Sequence, residues 1–218
     1  MLEEKLQQLK SSLVDYATLV ERMIEKSIQG LLNKDKILLE EVIVKDEPAV
    51  NDFEIMMDEH CTSLIAQYEP KAKELRSILM ILKMSNDLER MGDHAVNISL
   101  SSQYLIERPP VKPLIDLPKM ADETIGMLKD SIQSFIAEDS NLAKKVCERD
   151  SVVDGLRNQI LRELIAYMGA DPLVIERSLH LIRVSSNLER VADLSTNIGE
   201  DVIFIAAGKV IKHHREEL

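Results

Sequence analysis

The chain contains few aromatic residues and few glycines. Trp is absent, aromatic residues make up 3% of the sequence, and only 7 of 218 residues are glycine. β-Sheets rely on aromatic and β-branched side chains, and their tight turns rely on glycine. The abundant residues here are mostly good helix formers such as Leu, Glu, Lys, Ala and Met. The composition therefore predicts an all-α protein.

Cysteine is nearly absent as well. Cys61 and Cys147 lie in separate segments of helical periodicity and form no C-x-x-C pair. This pattern excludes a disulfide framework or a cysteine zinc site and is typical of small buried thiols in a reducing compartment. We therefore expect a cytoplasmic protein.

Long apolar runs and an excess of positive charge are also missing. The longest apolar stretches, such as IFIAA at 203–207, are far shorter than the roughly 20 residues of a membrane-spanning helix. The chain has 27 basic and 38 acidic side chains, which give a net charge of −11. Such a surface repels nucleic-acid phosphates and anionic lipids. We expect neither nucleic-acid binding nor direct membrane insertion.

Two kinds of enzyme motif do not occur. The seven glycines form no phosphate-binding loop of the G-x-G-x-x-G or G-x-x-x-x-G-K-[ST] type. The Glu-x-x-His pairs of ferritin-like di-iron enzymes are absent too. We therefore expect neither an ATPase nor a ferritin-like enzyme.

Apolar residues recur at steps of three and four along most of the chain, which is typical of amphipathic helices. The spacing predicts a first helix of about 30 residues. A second begins near Asp35, bends near Pro48 and ends before Pro70, and a third covers 71–106. Four of the seven prolines then cluster in ERPPVKPLIDLPK, where a helix cannot continue.

The same pattern returns after the proline cluster. The tripeptide SIQ at 27–29, for example, recurs at 131–133, an offset of 104. An internal duplication of this length predicts two tandem, pseudo-symmetric three-helix bundles. We place the first bundle at residues 1–107, a proline-rich linker at 108–118 and the second bundle at 119–218.

The strongest repeat lies on the third helix of each half. It reads NDLERMGDHAVNI at 86–98 and SNLERVADLSTNI at 186–198. From 85 to 98, seven of fourteen positions are identical to their counterparts from 185 to 198. Leu88 and Gly92 continue the apolar stripe of the helix, so core packing explains their recurrence.

Packing does not explain a second stripe, which carries Glu89, Asp93 and Asn97 at steps of four. Its counterparts in the second half are Glu189, Asp193 and Asn197. Carboxylates four residues apart repel each other by a few tenths of a kcal/mol on a bare helix. A placement that recurs in both halves therefore indicates a cation that binds them, with the asparagines as candidate outer groups.

Arginine follows the glutamate in both copies. On a solvated helix face, Arg90 would pair with Asp93, and Arg190 with Asp193, three residues further on. This is the ordinary explanation of a single Glu-x-x-x-Asp pair, and duplication weakens it. If a metal is bound, Arg90 and Arg190 are candidates for groups just outside its ligands.

The second helix of each half adds further oxygen atoms. Counting outwards from the hairpin turn at Pro70 predicts that Glu47 faces Asp93 and that Asn51 faces Glu89. In this interpretation the first half has an amide where a carboxylate would bind a cation more strongly.

In the second half the turn is near Ala170. The same counting places Asp150 and Asp154 within about one helical turn of Asp193 and Glu189. Carboxylate clusters without Cys or paired His suit hard or borderline cations. We therefore expect divalent metal ions or iron clusters, with Mg, Mn, Fe or Zn as the metal.

The stretches LERMGDHAVNI and LERVADLSTNI resemble the paired E-x-x-x-D motifs of the PhoU family, accessory regulators of phosphate-specific transport. The resemblance spans both halves. It implies a cytoplasmic, commonly dimeric protein of two three-helix bundles, with metal ions or multinuclear iron clusters on the motif-bearing surface. The ligands it implies are Glu89, Asp93, Glu189 and Asp193.

The resemblance also implies partners. PhoU-like proteins act between the ATPase subunit of the phosphate ABC transporter and a phosphate-sensing histidine kinase, and they restrain the phosphate-starvation response. Two other functions remain open. A metal-dependent hydrolase would need a cleft with a nucleophile or general base beside the metal, and a plain helical interaction module would need no duplicated oxygen cluster. We expect a regulatory adaptor without catalytic activity.

Overall fold

The computed structural model describes residues 2–207, which are almost entirely helical and contain no strand. In chain order the helices are α1 (Leu2–Asn33), α2 (Lys36–Glu41), α3 (Glu47–Tyr68), α4 (Ala72–Ile106), α5 (Asp116–Ala137), α6 (Ser140–Ala170) and α7 (Ile175–Ala207). The predicted all-α class is confirmed. Within these residues, no helix combines the length and apolar character needed to cross a bilayer.

Two aspartates begin the second helix of each half in the same way. Asp35 and Asp139 have the same backbone angles, φ −93° and ψ 97°. Each side chain accepts hydrogen bonds from the backbone N–H groups two and three residues further on, at 2.9 to 3.2 Å. Such N-caps satisfy N–H groups that have no partner within the helix. The duplication therefore extends to the detail of the helix ends.

The predicted bend near Pro48 takes the form of a π-helical turn. α2 passes through this turn, Val42–Asp46, directly into α3. Proline has no N–H to donate, and its ring would clash with the carbonyl of the residue four positions earlier in a regular helix. A wider turn just before Pro48 relieves this clash, so the helix bends without ending.

The proline-rich segment separates α4 from α5, but α5 begins at Asp116, before the end of the predicted linker. Pro118 lies in the first turn of α5, where the missing N–H has no intrahelical partner in any case. The boundaries proposed for the two bundles and the linker stay predictions. Residues 208–218, which the second bundle was predicted to include, lie outside the described residues.

The central helices α4 and α7 pack against each other in antiparallel orientation. Near one end, Lys83 Nζ lies 2.5 Å from Asp201 Oδ1. Near the other end, Tyr104 stacks on His180 with ring centroids 4.0 Å apart. Since equivalent residues of the two helices differ by 100 in number, this pairing defines an approximate two-fold axis. Buried apolar residues from both halves form one continuous cluster across it.

Candidate metal-binding site

The two motifs lie on the central helices. On α4, Leu88, Gly92 and Ala95 are buried, and this stripe fixes how the helix is rotated about its axis. Glu89 is left half-buried at the edge of the core, and Asp93 is exposed. Their four-residue spacing places both carboxylates on one face of α4.

Glu54 is the residue of α3 whose negative charge acts on Glu89. The pKa of Glu89 is raised by its burial and then by the negative charges of Asp93 and Glu54. The facing residue predicted from the sequence was Asn51, which is exposed and lies about one turn from Glu54. That pairing stays a prediction, because an uncharged amide has no charge effect on the pKa of Glu89. The first half adds a carboxylate, Glu54, that counting from the turn did not single out.

Val50 lies against the middle of the first motif. A Cβ atom added to Gly92 would come within 3.0 Å of Val50 Cγ1, so α3 and α4 are in close contact here. Val50 thus faces Gly92, the core position next to Asp93. Glu47 is the first residue of α3, about one turn beyond Val50. Its role as a metal ligand stays a prediction.

Tyr16 of α1 lies beside these carboxylates and was not predicted as a site residue. Its side chain is fully buried and stacks on Phe53, with ring centroids 5.2 Å apart. Its hydroxyl has no hydrogen-bond partner within residues 2–207. Burial is the largest cause that raises the pKa of this phenol. The negative charges that raise it further belong, largest first, to Glu54, Glu89, Asp93 and Asp58.

The second half repeats this arrangement on α6 and α7. The pKa of Glu189 is raised by its burial and then by the charge of Asp193. Asp154 is exposed, and its charge also acts on Glu189, so it lies near the motif as expected from the sequence. Asp150, one turn earlier on α6, is half-buried. The ligand roles of these four carboxylates stay predictions.

Arginine neutralises the second motif but not the first. Arg190 Nη1 donates a hydrogen bond to Asp193 Oδ2 at 2.8 Å, and its Nε lies 3.6 Å from Glu189 Oε2. Arg90, its counterpart, lies 3.5 Å from Asp87 Oδ1 instead. Asp87 is buried between the central helices, where an ion pair is screened less by water than at the exposed Asp93. The pairing of Arg90 with Asp93 considered above is therefore absent.

Four carboxylates near the first motif have no ion-pair partner among the described residues. In the described part of the chain, no Lys, Arg or His lies within ion-pair distance of Glu54, Asp58, Glu89 or Asp93. Within that part, too, no three Asp, Glu, His or Cys side chains have converged into a metal-binding geometry. Like charges repel, so carboxylate oxygens without a neutralising cation lie apart. The donors present, carboxylates and a phenol, suit a hard cation.

The two motif asparagines lie in different environments. Asn97 is exposed on α4. Asn197 is half-buried on α7, and its side chain interacts with Asp87 across the central interface. Burial raises the pKa of Asp87, and the interaction with Asn197 lowers it in part. The sequence repeat predicted equivalent roles for them, and their surroundings differ. Their role beside a metal stays a prediction.

Comparison with known protein families accounts for both halves at once. The model of the PhoU domain matches the chain twice, at residues 13–101 and 117–202. The chain belongs to the PhoU family. Each match contains one of the acidic motifs, so the resemblance of the two motifs to the PhoU family is confirmed.

The similarity to other PhoU proteins extends over nearly the whole chain. The phosphate-specific transport system accessory protein PhoU homolog of Aquifex aeolicus is 39% identical, over 97% of this chain and 96% of that protein. PhoU homolog 2 of Thermotoga maritima is 31% identical, over 100% of this chain and 92% of that protein.

Solved PhoU structures have the same fold. The crystal structure of PhoU from Pseudomonas aeruginosa superposes with a TM-score of 0.92 at 30% identity, covering 96% of this chain and all of that one. PhoU from Streptococcus pneumoniae, a phosphate transport system regulatory protein, superposes with a TM-score of 0.89 at 25% identity, covering 97% of this chain. The predicted PhoU-like fold of two three-helix bundles is confirmed.

Proposed function

We propose that this protein is a regulatory adaptor of phosphate uptake. The observation that carries the proposal is the full-length similarity to proteins named as accessory components of phosphate-specific transport systems. The chain matches them over both halves, including both acidic motifs. An accessory component acts by binding other proteins, so the proposal includes no catalytic activity.

We also propose that the motifs bind divalent metal ions or iron clusters. The proposed ligands are Glu89, Asp93, Glu189 and Asp193, with Glu47, Glu54, Asp150 and Asp154 from the facing helices. Support comes from the first half, where burial and then the charges of Asp93 and Glu54 raise the pKa of Glu89, and no basic side chain of the described residues lies within ion-pair distance of these three carboxylates. A bound cation would offset both burial and repulsion. Oxygen donors favour Mg, Mn or Fe over Zn.

The partners in this proposal are the ATPase subunit of a phosphate ABC transporter and a phosphate-sensing histidine kinase. By acting between them, the protein restrains the phosphate-starvation response in the cytoplasm, as a homodimer. The net charge of −11 supports a contact with a basic surface, whose association would slow as salt screens the attraction.

The alternative of a metal-dependent hydrolase has less support. A cavity of about 230 Å³ lies between α1 and α5 and is lined by residues such as Thr18, Glu21 and Lys129. None of its lining residues belongs to either motif. The carboxylates therefore do not line this cavity, where a substrate would be enclosed.

Binding and genetics together test the proposal. The purified protein should bind the isolated ATPase subunit in a titration, and a deletion strain should express phosphate-starvation genes in phosphate-rich medium. Complementation with the Glu89→Ala/Asp93→Ala variant should fail. A matched control, Asp122→Ala/Glu148→Ala, removes the same two charges from exposed positions outside the motifs and should complement. Normal repression in the deletion strain, or phosphatase turnover by the purified protein, would contradict the adaptor role.

A further inference from the structure

Tyr16 is the one phenol among the buried hydroxyls of residues 2–207 that lack a hydrogen-bond partner; the other five belong to serine or threonine. The side chain is 0% exposed, yet its hydroxyl makes no hydrogen bond to any residue in 2–207. Burying a polar group without a partner is costly, and buried hydroxyls in folded proteins almost always have one. This hydroxyl therefore requires an explanation.

Packing does not require the hydroxyl. The duplication provides the comparison, because the offset of 104 that relates Asp35 to Asp139 relates Tyr16 to Met120. Met120 is also 0% exposed. The same core position in the second half is therefore filled by a side chain that has no hydroxyl.

The surroundings of the hydroxyl are acidic. The stacking of Tyr16 on Phe53 holds the ring against the turn of α3 that carries Glu54. Glu54 exerts the largest charge effect on the phenol, and Glu89 the next largest. A phenol that keeps its proton is a hydrogen-bond donor, and a carboxylate can accept that bond. The carboxylates that could accept a hydrogen bond from Tyr16 are thus also proposed metal ligands.

We propose that Tyr16 is a positioning residue of the first-half metal site, whose hydroxyl donates a hydrogen bond to a ligand carboxylate, that of Glu54, when a divalent cation draws the carboxylates together. This inference rests on the metal binding proposed above. It distinguishes the two sites chemically: a buried phenol orients the ligands of the first, whereas Arg190 pairs with the acidic residues of the second.

The decisive variant is Tyr16→Phe, which keeps the ring and removes only the hydroxyl. Mn²⁺ binding is measured by electron paramagnetic resonance of the free ion, in two backgrounds. In Glu189→Ala/Asp193→Ala protein only the first site remains, and Tyr16→Phe should weaken binding about 10- to 100-fold, the usual effect of removing a group that orients a ligand. In Glu89→Ala/Asp93→Ala protein only the second site remains, and binding should be unchanged.

Thermal unfolding separates this role from a structural one. Without metal, Tyr16→Phe should raise the melting temperature, because an unpaired buried hydroxyl is removed. The increase in melting temperature that Mn²⁺ produces should become smaller. Tyr167→Phe, at an exposed position, is the control and should change neither quantity.

Each outcome decides the question. Equal Mn²⁺ affinity of Tyr16→Phe and its parent at the first site would overturn the role of Tyr16 and leave the proposed metal binding intact. Absence of Mn²⁺ binding to the unsubstituted protein would overturn both. A lower melting temperature of the metal-free variant would show that the hydroxyl already has a partner in the folded core, and would also overturn the inference.

Discussion

Arg190 is the residue that makes the second motif less available to a cation than the first. Its guanidinium lies between Asp193 and Glu189, the two proposed ligands. Arg190→Ala should therefore strengthen Mn²⁺ binding at the second site. Exposed ion pairs contribute about 0.2 to 1 kcal/mol, so the gain should be roughly 1.4- to fivefold. Titration in the Glu89→Ala/Asp93→Ala background measures it.

The matched control for this experiment is Arg90→Ala in the Glu189→Ala/Asp193→Ala background. Arg90 pairs with Asp87, so its removal should change first-site affinity less than removal of Arg190 changes second-site affinity. Weaker Mn²⁺ binding by the Arg190→Ala protein would contradict the competition and would indicate that Arg190 holds the carboxylates in place.

Asp201 makes the central interface sensitive to pH. Burial raises the pKa of this carboxyl from 3.8 to about 6, although Lys83 opposes the change. Because the folded-state pKa lies above the unfolded one, the contribution of Asp201 to stability is fully present below about pH 4 and is lost as the pH rises through 6. Asp201→Asn should therefore be more stable than the parent near pH 7.5, on the order of 1 to 3 kcal/mol.

Urea unfolding at several pH values tests this expectation. The advantage of Asp201→Asn should shrink as the pH falls towards about 4. Glu200→Gln, at the neighbouring half-exposed position, controls for the loss of one charge. A variant less stable than the parent at neutral pH would show that the attraction of Lys83 outweighs the cost of burial.

At the scale of helices, the corner between α1 and α2 shows two packing solutions in one chain. A Cβ atom on Gly30 would lie 2.5 Å from Leu39 Cδ2, so only glycine fits beside Leu39 in its present position. The equivalent corner has Ser134 and Ala143, joined through Asp139 by the same backbone hydrogen bonds. The first half thus combines Gly30 with the larger Leu39, and the second half combines Ser134 with the smaller Ala143.

This exchange can be tested by a double-mutant cycle. Gly30→Ser should destabilise the protein by roughly 1 to 3 kcal/mol through overpacking. Leu39→Ala alone should cost about 2 to 5 kcal/mol because it leaves a cavity. The double variant copies the second-half pair, so its loss should be smaller than the sum by about 1 kcal/mol or more. Additive losses in chemical denaturation would contradict the exchange.

The positions of the helices could be predicted because their signals are local. Apolar periodicity, the capping aspartates Asp35 and Asp139, and the ring of Pro48 each act within one or two turns of their own position. The α3 carboxylate whose charge acts on Glu89 could not be predicted in the same way. Counting from the turn at Pro70 did not single out Glu54, because the rotation of two packed helices depends on side chains along the whole interface.

Two features of the site depend on tertiary structure and left little trace in the sequence. Arg90 turns to Asp87 because the central interface buries that carboxylate. Tyr16 lies on the buried apolar stripe of α1, where a side chain is expected to serve only the core. The only available signal was the repeat itself, which places Met120 at the equivalent position and so marks the hydroxyl as dispensable for packing.

At the scale of the whole molecule, the shared core predicts that neither half is stable alone. Leu88 and Met91 of α4 lie in the same buried cluster as Leu188 and Val191 of α7. Fragments 1–111 and 112–218, cut between α4 and α5, should each show weak, non-cooperative unfolding. Mixing them should restore a single cooperative transition in circular dichroism and a 1:1 complex in size-exclusion chromatography.

Each fragment incubated with itself is the control. Self-association would pair α4 with α4, or α7 with α7, and would lose the core contacts in which Leu88 and Met91 of α4 join Leu188 and Val191 of α7. The mixed complex should therefore be the more stable one. Fragments that unfold cooperatively on their own, and that do not change on mixing, would show that the bundles are independent.

The approximate two-fold axis between α4 and α7 also bears on how such a protein changes over evolutionary time. In a dimer of identical half-length chains, every substitution would appear on both sides of the axis. In this chain Lys83 and Asp201 form an ion pair on one side of the axis, while the positions related to them by the two-fold axis hold Ser101 and Arg183. Because the two copies are joined in one gene, a substitution changes one half without changing the other. Natural selection can therefore alter one site while the equivalent site keeps its sequence.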